Sequence, residues 1–284
     1  MQLRDSKIQY TCSNCDNILK ETPIQVDILT IGEECDHCGA LLSQSIYKKY
    51  TLEKYKAIVK YKGNFRNAFN CKLNIDIKSI NSIIGHLSIG EKICITDKYK
   101  DFAKNFVSRF SAMVMKSILY PTIFVDAGNK LDLYKCIYYA RQYGIDICKF
   151  IDNITISRSF TPYQLTNTIV CEVPKIIEKI NSKVLIINDF FEPFYKINLQ
   201  EGKSLLKQII QALEKIASND VLILISFSSY VRTEYDKIIS KIFDKKIECT
   251  DYDVQQHYYT LNLSNSLKKY NLLKMPKRHL ILIN

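Results

Sequence analysis

From residue 93 onward, short blocks of almost unbroken apolar residues alternate with stretches whose apolar residues recur every three to four positions. Strands are expected at 93–96, 122–126, 184–188, 221–226, 258–263 and 279–283, and helices at 102–119, 131–143, 163–180 and 201–217. A strand that is apolar at every position has both faces buried, which antiparallel sheets with one wet face do not require. Strand, helix, strand, helix in that order therefore predicts an α/β fold: a mainly parallel sheet flanked by helices on both sides. The composition agrees. Of 284 residues 47% are hydrophobic, and Gly and Pro number only 8 and 6. That excludes a disordered or fibrous chain. The longest apolar runs, near Val221 to Phe227 and Val184 to Ile187, fall far short of the roughly 20 residues that cross a bilayer, so no membrane partner is expected.

The N-terminal fifty residues differ in kind. Cys12-Ser-Asn-Cys15 and Cys35-Asp-His-Cys38 are two C-x2-C pairs separated by nineteen residues. Two turns at this spacing present four thiolates to one tetrahedral zinc ion. So short a segment cannot bury enough apolar area to fold alone, and ligation would supply much of its folding free energy. With four Cys no position stays open for water or substrate, so Cys12, Cys15, Cys35 and Cys38 are expected to hold one structural Zn(2+). A strand is expected through Ile24, Val26 and Ile28, and His37 reads as a neighbour of the metal. The other cysteines, Cys71, Cys94, Cys136, Cys148, Cys171 and Cys249, are isolated in mostly apolar context and read as core. The N-terminus lacks an apolar secretory stretch, which places the thiols in a reducing, cytoplasmic setting, with nucleoid association open.

Charge is unevenly spread. The chain carries 40 Lys+Arg against 29 Asp+Glu, a formal +11. Residues 51–72 hold Lys54, Lys56, Lys60, Lys62, Arg66 and Lys72 against Glu53 alone. Residues 261–284 hold Lys268, Lys269, Lys274, Lys277 and Arg278 with no acid. The first fifty residues are net acidic, with five basic side chains against seven acidic ones. A polyanion is the natural partner for the two basic segments, and Lys54, Lys56, Lys60, Lys62, Arg66, Lys268, Lys269, Lys274, Lys277 and Arg278 are the expected nucleic-acid contacts. In TLEKYKAIVKYK the apolar residues Leu52, Tyr55, Ile58 and Val59 fall at helical spacing, so this segment reads as an amphipathic connecting helix. The division expected is a zinc ribbon over 1–47, a basic linker helix over 48–75 and a core over 76–284.

Several blocks of the core occur in an order similar to that of the RecA/RadA recombinase superfamily. Gly90-Glu91 lead into KICIT, PTIFVDAGNKLDLYKCIYYARQYGID carries Asp126, Ala140 and Gly144, and NITISRSFTPYQLTNTI carries Arg158, Phe160, Tyr163, Gln164 and Leu165. KVLIIND stands at the second nucleotide-motif strand, with Asn188 or Asp189 at its acidic position. The resemblance covers about residues 85–228 and implies a RecA-like core. The catalytic apparatus does not follow it. A phosphate loop needs G-x-x-x-x-G-K-[ST], whose glycines let backbone N–H groups converge on phosphate. TDKYKDFAKNF puts Asp97, Lys100 and Phe102 at the glycines, Ala103 at the lysine and Lys104 at the hydroxyl, so bulky side chains are expected to fill the cradle. Gly128 stands where the family has its water-activating glutamate. No catalytic residue and no ATP are therefore expected. The resemblance leads to a non-catalytic nucleic-acid-binding accessory protein of DNA recombination, repair or related processing, with a recombinase-type or other protein as a further partner. A protein-protein scaffold and a weak NTPase with a degenerate loop are the alternatives. His37, His86, His257 and His279 show no metal-ligand spacing, and His257 is expected to be a partly buried strand-edge residue.

Overall fold

A computed structural model describes residues 7–11, 18–23, 73, 75–98, 101–118, 120–228, 231, 233–265 and 268–281. The chain divides into two compact units, 1–70 and 71–284. In the first, β1 (Lys7–Thr11) and β2 (Ile18–Pro23) pair antiparallel. The segment 12–17 that joins them in sequence contains Cys12 and Cys15. All four cysteines of the two pairs, the strand expected at 24–28 and the helix expected at 51–62 lie outside the described residues.

The second unit is built on an eight-stranded mixed sheet in the order β10-β9-β8-β3-β7-β6-β4-β5. Its strands are β3 (Lys92–Asp97), β4 (Thr122–Asp126), β5 (Ile154–Arg158), β6 (Val184–Asn188), β7 (Leu222–Ser228), β8 (Lys245–Asp253), β9 (Tyr258–Asn265) and β10 (Lys268–Pro276). The six from β8 to β5 run parallel, and β9 and β10 are added antiparallel at one edge. Side chains of a strand alternate between faces, so an apolar run feeds two cores at once. In β7, Leu222 and Leu224 join the cluster on one face while Ile223, Ile225 and Phe227 join the cluster on the other. β6 divides likewise, with Val184 and Ile186 opposite Leu185 and Ile187. That double burial is why these strands carry no polar alternation.

The first face is covered by α1 (Lys78–Ile84), α2 (Asp101–Ile118), α3 (Leu133–Gln142), α4 (Ile147–Asp152) and α9 (Lys277–Ile281). The second is covered by α5 (Pro162–Asn167), a π-helical turn at Thr168–Glu172, α6 (Val173–Ile180), α7 (Leu199–Ser218) and α8 (Thr233–Ile239). Helix starts follow local chemistry. Asp132, Asp146, Thr161 and Asn198 each accept a backbone N–H of the first turn of α3, α4, α5 and α7, and Pro162 opens α5.

One expected strand is not there. Residues 277–281 form α9, and the strand lies earlier, as β10. The apolar run HLILI reads equally as strand or helix. Tertiary contact decides: Arg109, nearly fully buried on α2, donates to the carbonyl oxygens of His279 (2.8 Å) and Leu280 (2.9 Å) and to both oxygens of Asp76. Tyr143 also donates to Asp76, and Tyr139 to the Leu280 carbonyl at 3.3 Å. The expected helix over 163–180 is present but divided by the π-turn.

Candidate functional site

β3 is followed in sequence by β4, yet β7 and β6 lie between them in the sheet. An open α/β sheet forms a crevice outside the carboxyl ends of its strands where the order switches in this way. A cavity of about 190 Å³ lies there. It is lined by Asp97 at the end of β3, Ala103 and Lys104 of α2, Lys130 after β4, Asn188 at the end of β6 and Asp189 just after it, and Ser226, Phe227 and Ser228 of β7.

The floor is a network of fixed polar groups. Asp97 is 1% exposed, and its Oδ2 accepts the N–H of Ala103 at 3.0 Å. The first turn of a helix leaves its N–H groups free and favours negative charge. At the start of α2 the carboxylate of Asp97 meets that demand from within the chain. Behind it, Cys249 sits opposite Asp97 in the β3–β8 register. Burial first, and then the nearby Asp97 carboxylate, push the Cys249 thiol up, so it is a neutral S–H. Ser226 donates to Asn188 Oδ1 (2.9 Å), and Asn188 Nδ2 donates to Asp126 (3.3 Å). Asp126, also buried, accepts the backbone N–H groups of Lys130 and Leu131, both at 3.1 Å. It folds the loop after β4 and does not face the cavity.

Both lysines of the cavity wall are engaged by acids. Lys104 pairs with Asp132 at 3.1 Å. Lys130 pairs with Glu192 at 2.8 Å and lies 3.8 Å from Asp189. Burial opposes ionisation of Asp132, but the Lys135 amide and the Lys104 ammonium outweigh it and hold the carboxyl below the usual range. Counting these partners, four carboxylates face two ammonium groups, a surplus of two negative charges around the cavity.

Gly128 follows β4 by two residues. A Cβ there would stand 2.5 Å from Asp189 Cβ and 2.8 Å from its Oδ2. Asp189 itself is held at φ 52°. The absence of a side chain at 128 and the left-handed aspartate at 189 are one packing arrangement.

The expectation of a cradle filled by bulky side chains is corrected in its detail. Phe102 is fully buried and packs edge-on to Tyr259 at 5.3 Å, away from the cavity. What occupies the helix terminus is the Asp97 carboxylate, and Lys100 lies outside the described residues. The Gly90-Glu91 pair is structural in this fold: Gly90 adopts φ 85°, and Glu91 pairs with the buried Lys245 at 2.8 Å. Lys130 and Glu192 were not singled out in the sequence, because nothing in their spacing marks them as facing the same cavity.

Of the ten expected nucleic-acid contacts, Lys54, Lys56, Lys60, Lys62 and Arg66 lie outside the described residues, as do the side chains of Lys268 and Lys269. Lys274 is exposed on the outermost strand β10, Arg278 is exposed on α9, and Lys277 is half-buried over the Tyr252 ring at 5.1 Å. Exposed lysine on an edge strand also discourages strand-to-strand association. Among the other cysteines, Cys94, Cys136 and Cys249 are buried as expected, whereas Cys148 and Cys171 are exposed and Cys71 lies outside the described residues. His257 is exposed at the β8–β9 turn, in place of the partly buried edge position expected, with Nδ1 3.1 Å from the Tyr252 hydroxyl. Among the described residues no group of three or more His, Cys, Asp or Glu side chains could hold a metal ion, and no helix is long and apolar enough to cross a membrane.

No protein-family model matches the chain, and no curated protein is significantly similar to it.

Proposed function

We propose that the second unit is a RecA/RadA-like domain without nucleotide turnover, and that the chain is a nucleic-acid-binding accessory protein of DNA recombination, repair or related processing. The observation that carries this reading is the Asp97 carboxylate on the Ala103 amide, inside the crevice where a sheet of this order would seat a nucleotide. A helix start that already holds an anion has nothing to gain from a phosphate, and the two nearby lysines are committed to Asp132 and Glu192. Gly128 supplies no base, and the contact with Asp189 leaves no room for one. What remains for the chain is binding. The basic segments 51–72 and 261–284 supply the charge for it, and Cys12, Cys15, Cys35 and Cys38 are the proposed structural zinc site.

Two measurements on the full chain test this. Calorimetry with ATP and Mg²⁺ is expected to show no binding in the micromolar range. Affinity for an oligonucleotide is expected to fall about a thousandfold or more between roughly 50 and 200 mM salt, as six to ten phosphate contacts require. Micromolar ATP affinity, or nucleic-acid affinity that does not respond to salt, overturns the proposal.

A further inference from the structure

Helix α3 presents Tyr134, Tyr138 and Arg141 at i, i+4 and i+7, so all three share one face. Tyr134 is 87% exposed, the highest value among the large apolar side chains of the described residues, and Tyr138 is 42% exposed. Neither fills a core. An exposed aromatic row with no cation on it would fit many partners, but this face also carries Arg141, which is exposed. Tyr138 packs edge-on against Tyr139 at 5.3 Å, and Tyr139 is buried and bonded to the Leu280 carbonyl of α9. Arg109 grips the same carbonyl and that of His279. α9 is thereby held against α2, with the buried side of α3 reaching it through Tyr139, and Arg278 and His279 are exposed on it. At the far end of α3, Lys116 lies 5.3 Å over the Tyr143 ring and is itself exposed. The acid that caps α3, Asp132, is already taken up by the Lys135 amide and Lys104.

We propose that this face of α3, with Arg141 at its C-terminal end, is a stacking track for single-stranded nucleic acid; the inference rests on the nucleic-acid reading above and adds to it the strandedness and the surface. Tyrosine rings stack on bases of any sequence while neighbouring cations follow the backbone. The spacing selects the strand form. One helical turn sets Tyr134 and Tyr138 about 6 Å apart along the axis, against about 3.4 Å per base in a stacked duplex strand. Bases meeting both rings must be splayed, which a duplex does not allow and a single strand does. An acidic protein would satisfy the cations but makes no such use of two exposed rings.

The test is fluorescence anisotropy of the full chain with a labelled oligothymidylate, a duplex of equal length, and polyglutamate as competitor. Tyr134→Ala and Tyr138→Ala are each expected to weaken oligothymidylate binding about fivefold or more, while Tyr134→Phe and Tyr138→Phe stay within about twofold, because the ring and not the hydroxyl stacks. Duplex binding is expected to be indifferent to all four. If both alanine variants bind oligothymidylate like the parent chain, the track is refuted while the nucleic-acid reading stands. If the parent chain binds no nucleic acid, that reading fails and takes the track with it. Polyglutamate competition that is lost in the alanine variants would assign the face to an acidic protein and overturn the proposal. Both tyrosines are exposed, so the variants are expected to keep the parent's far-UV circular dichroism and melting temperature.

Discussion

Replacing Gly128 with alanine tests whether glycine at this position is a packing necessity. Gly128 does not adopt a left-handed φ, so the substitution has no backbone penalty of that kind. The cost arises from contact. The new Cβ would meet Asp189 Cβ at 2.5 Å, Oδ2 at 2.8 Å and Cγ at 3.0 Å. Rotation of Asp189 can move Oδ2 away, but Cβ moves only with the backbone. That backbone is fastened on both sides: Ala127 donates to the Asn188 carbonyl at 3.0 Å, Phe190 to the Ser226 carbonyl at 2.9 Å and Asp189 to Ser226 Oγ at 3.3 Å. Forced overpacking of this kind costs about 1–3 kcal/mol. Asp189→Gly removes all three contacting atoms. By itself it loses a partly exposed ion pair of small value and relieves a left-handed non-glycine residue, so it is expected to be nearly neutral. Gly128→Ala should therefore lose about 2 kcal/mol in the parent chain and only a few tenths in the Asp189→Gly background. The coupling then equals almost the whole cost of the single substitution. Urea unfolding followed by far-UV circular dichroism on the four proteins measures it. Equal costs in the two backgrounds, or no cost in either, would refute the packing argument, and with it the claim that a glutamate at 128 has no place in this fold.

Two further outcomes follow from buried groups. Arg109→Met should destabilise the second unit by about 2 kcal/mol, because it removes the donor from two α9 carbonyls while Asp76, which is exposed, keeps Tyr143 and water, and limited proteolysis should then release the C-terminal segment first. An unchanged urea midpoint with an intact C-terminus would contradict it. Burial, with a smaller opposing effect of Arg109, pushes the Tyr139 hydroxyl from about 10 up to about 12. Its folded pKa lies above the unfolded one, so its contribution is complete below about pH 10 and lost as pH rises toward about 12, where the unfolded chain ionises and the folded one resists. Across that window the urea midpoint of Tyr139→Phe should fall less steeply than that of the parent; parallel curves would count against the assignment.

Much of the parallel sheet was legible in the sequence because its strands are buried on both faces. Val184–Asn188 and Thr122–Asp126 coincide with their expected bounds. β5 and β8 were missed for the opposite reason. Ile154–Arg158 lies at a sheet edge and alternates between half-buried and exposed residues, and Lys245–Asp253 carries five charged residues in nine. Such segments become strands through their neighbours rather than their composition. The same holds for residues 277–281, whose helical form depends on Arg109, far away in sequence.

The order of residues along the chain determined that a doubly covered sheet would form, that four paired cysteines suit a zinc ion, and that no glycine-rich phosphate loop follows β3, since each is a property of local pattern and residue type. Only the tertiary structure decided which groups meet at the crevice. Asp97 reaching Ala103, Asp189 lying against Gly128, and Lys104 and Lys130 bound to acids from other loops are juxtapositions of chain ends that β6 and β7 bring together by entering between β3 and β4. A hydrogen bond or a steric contact acts over about 3 Å. Sequence spacing carries no information on that scale until the sheet order is fixed.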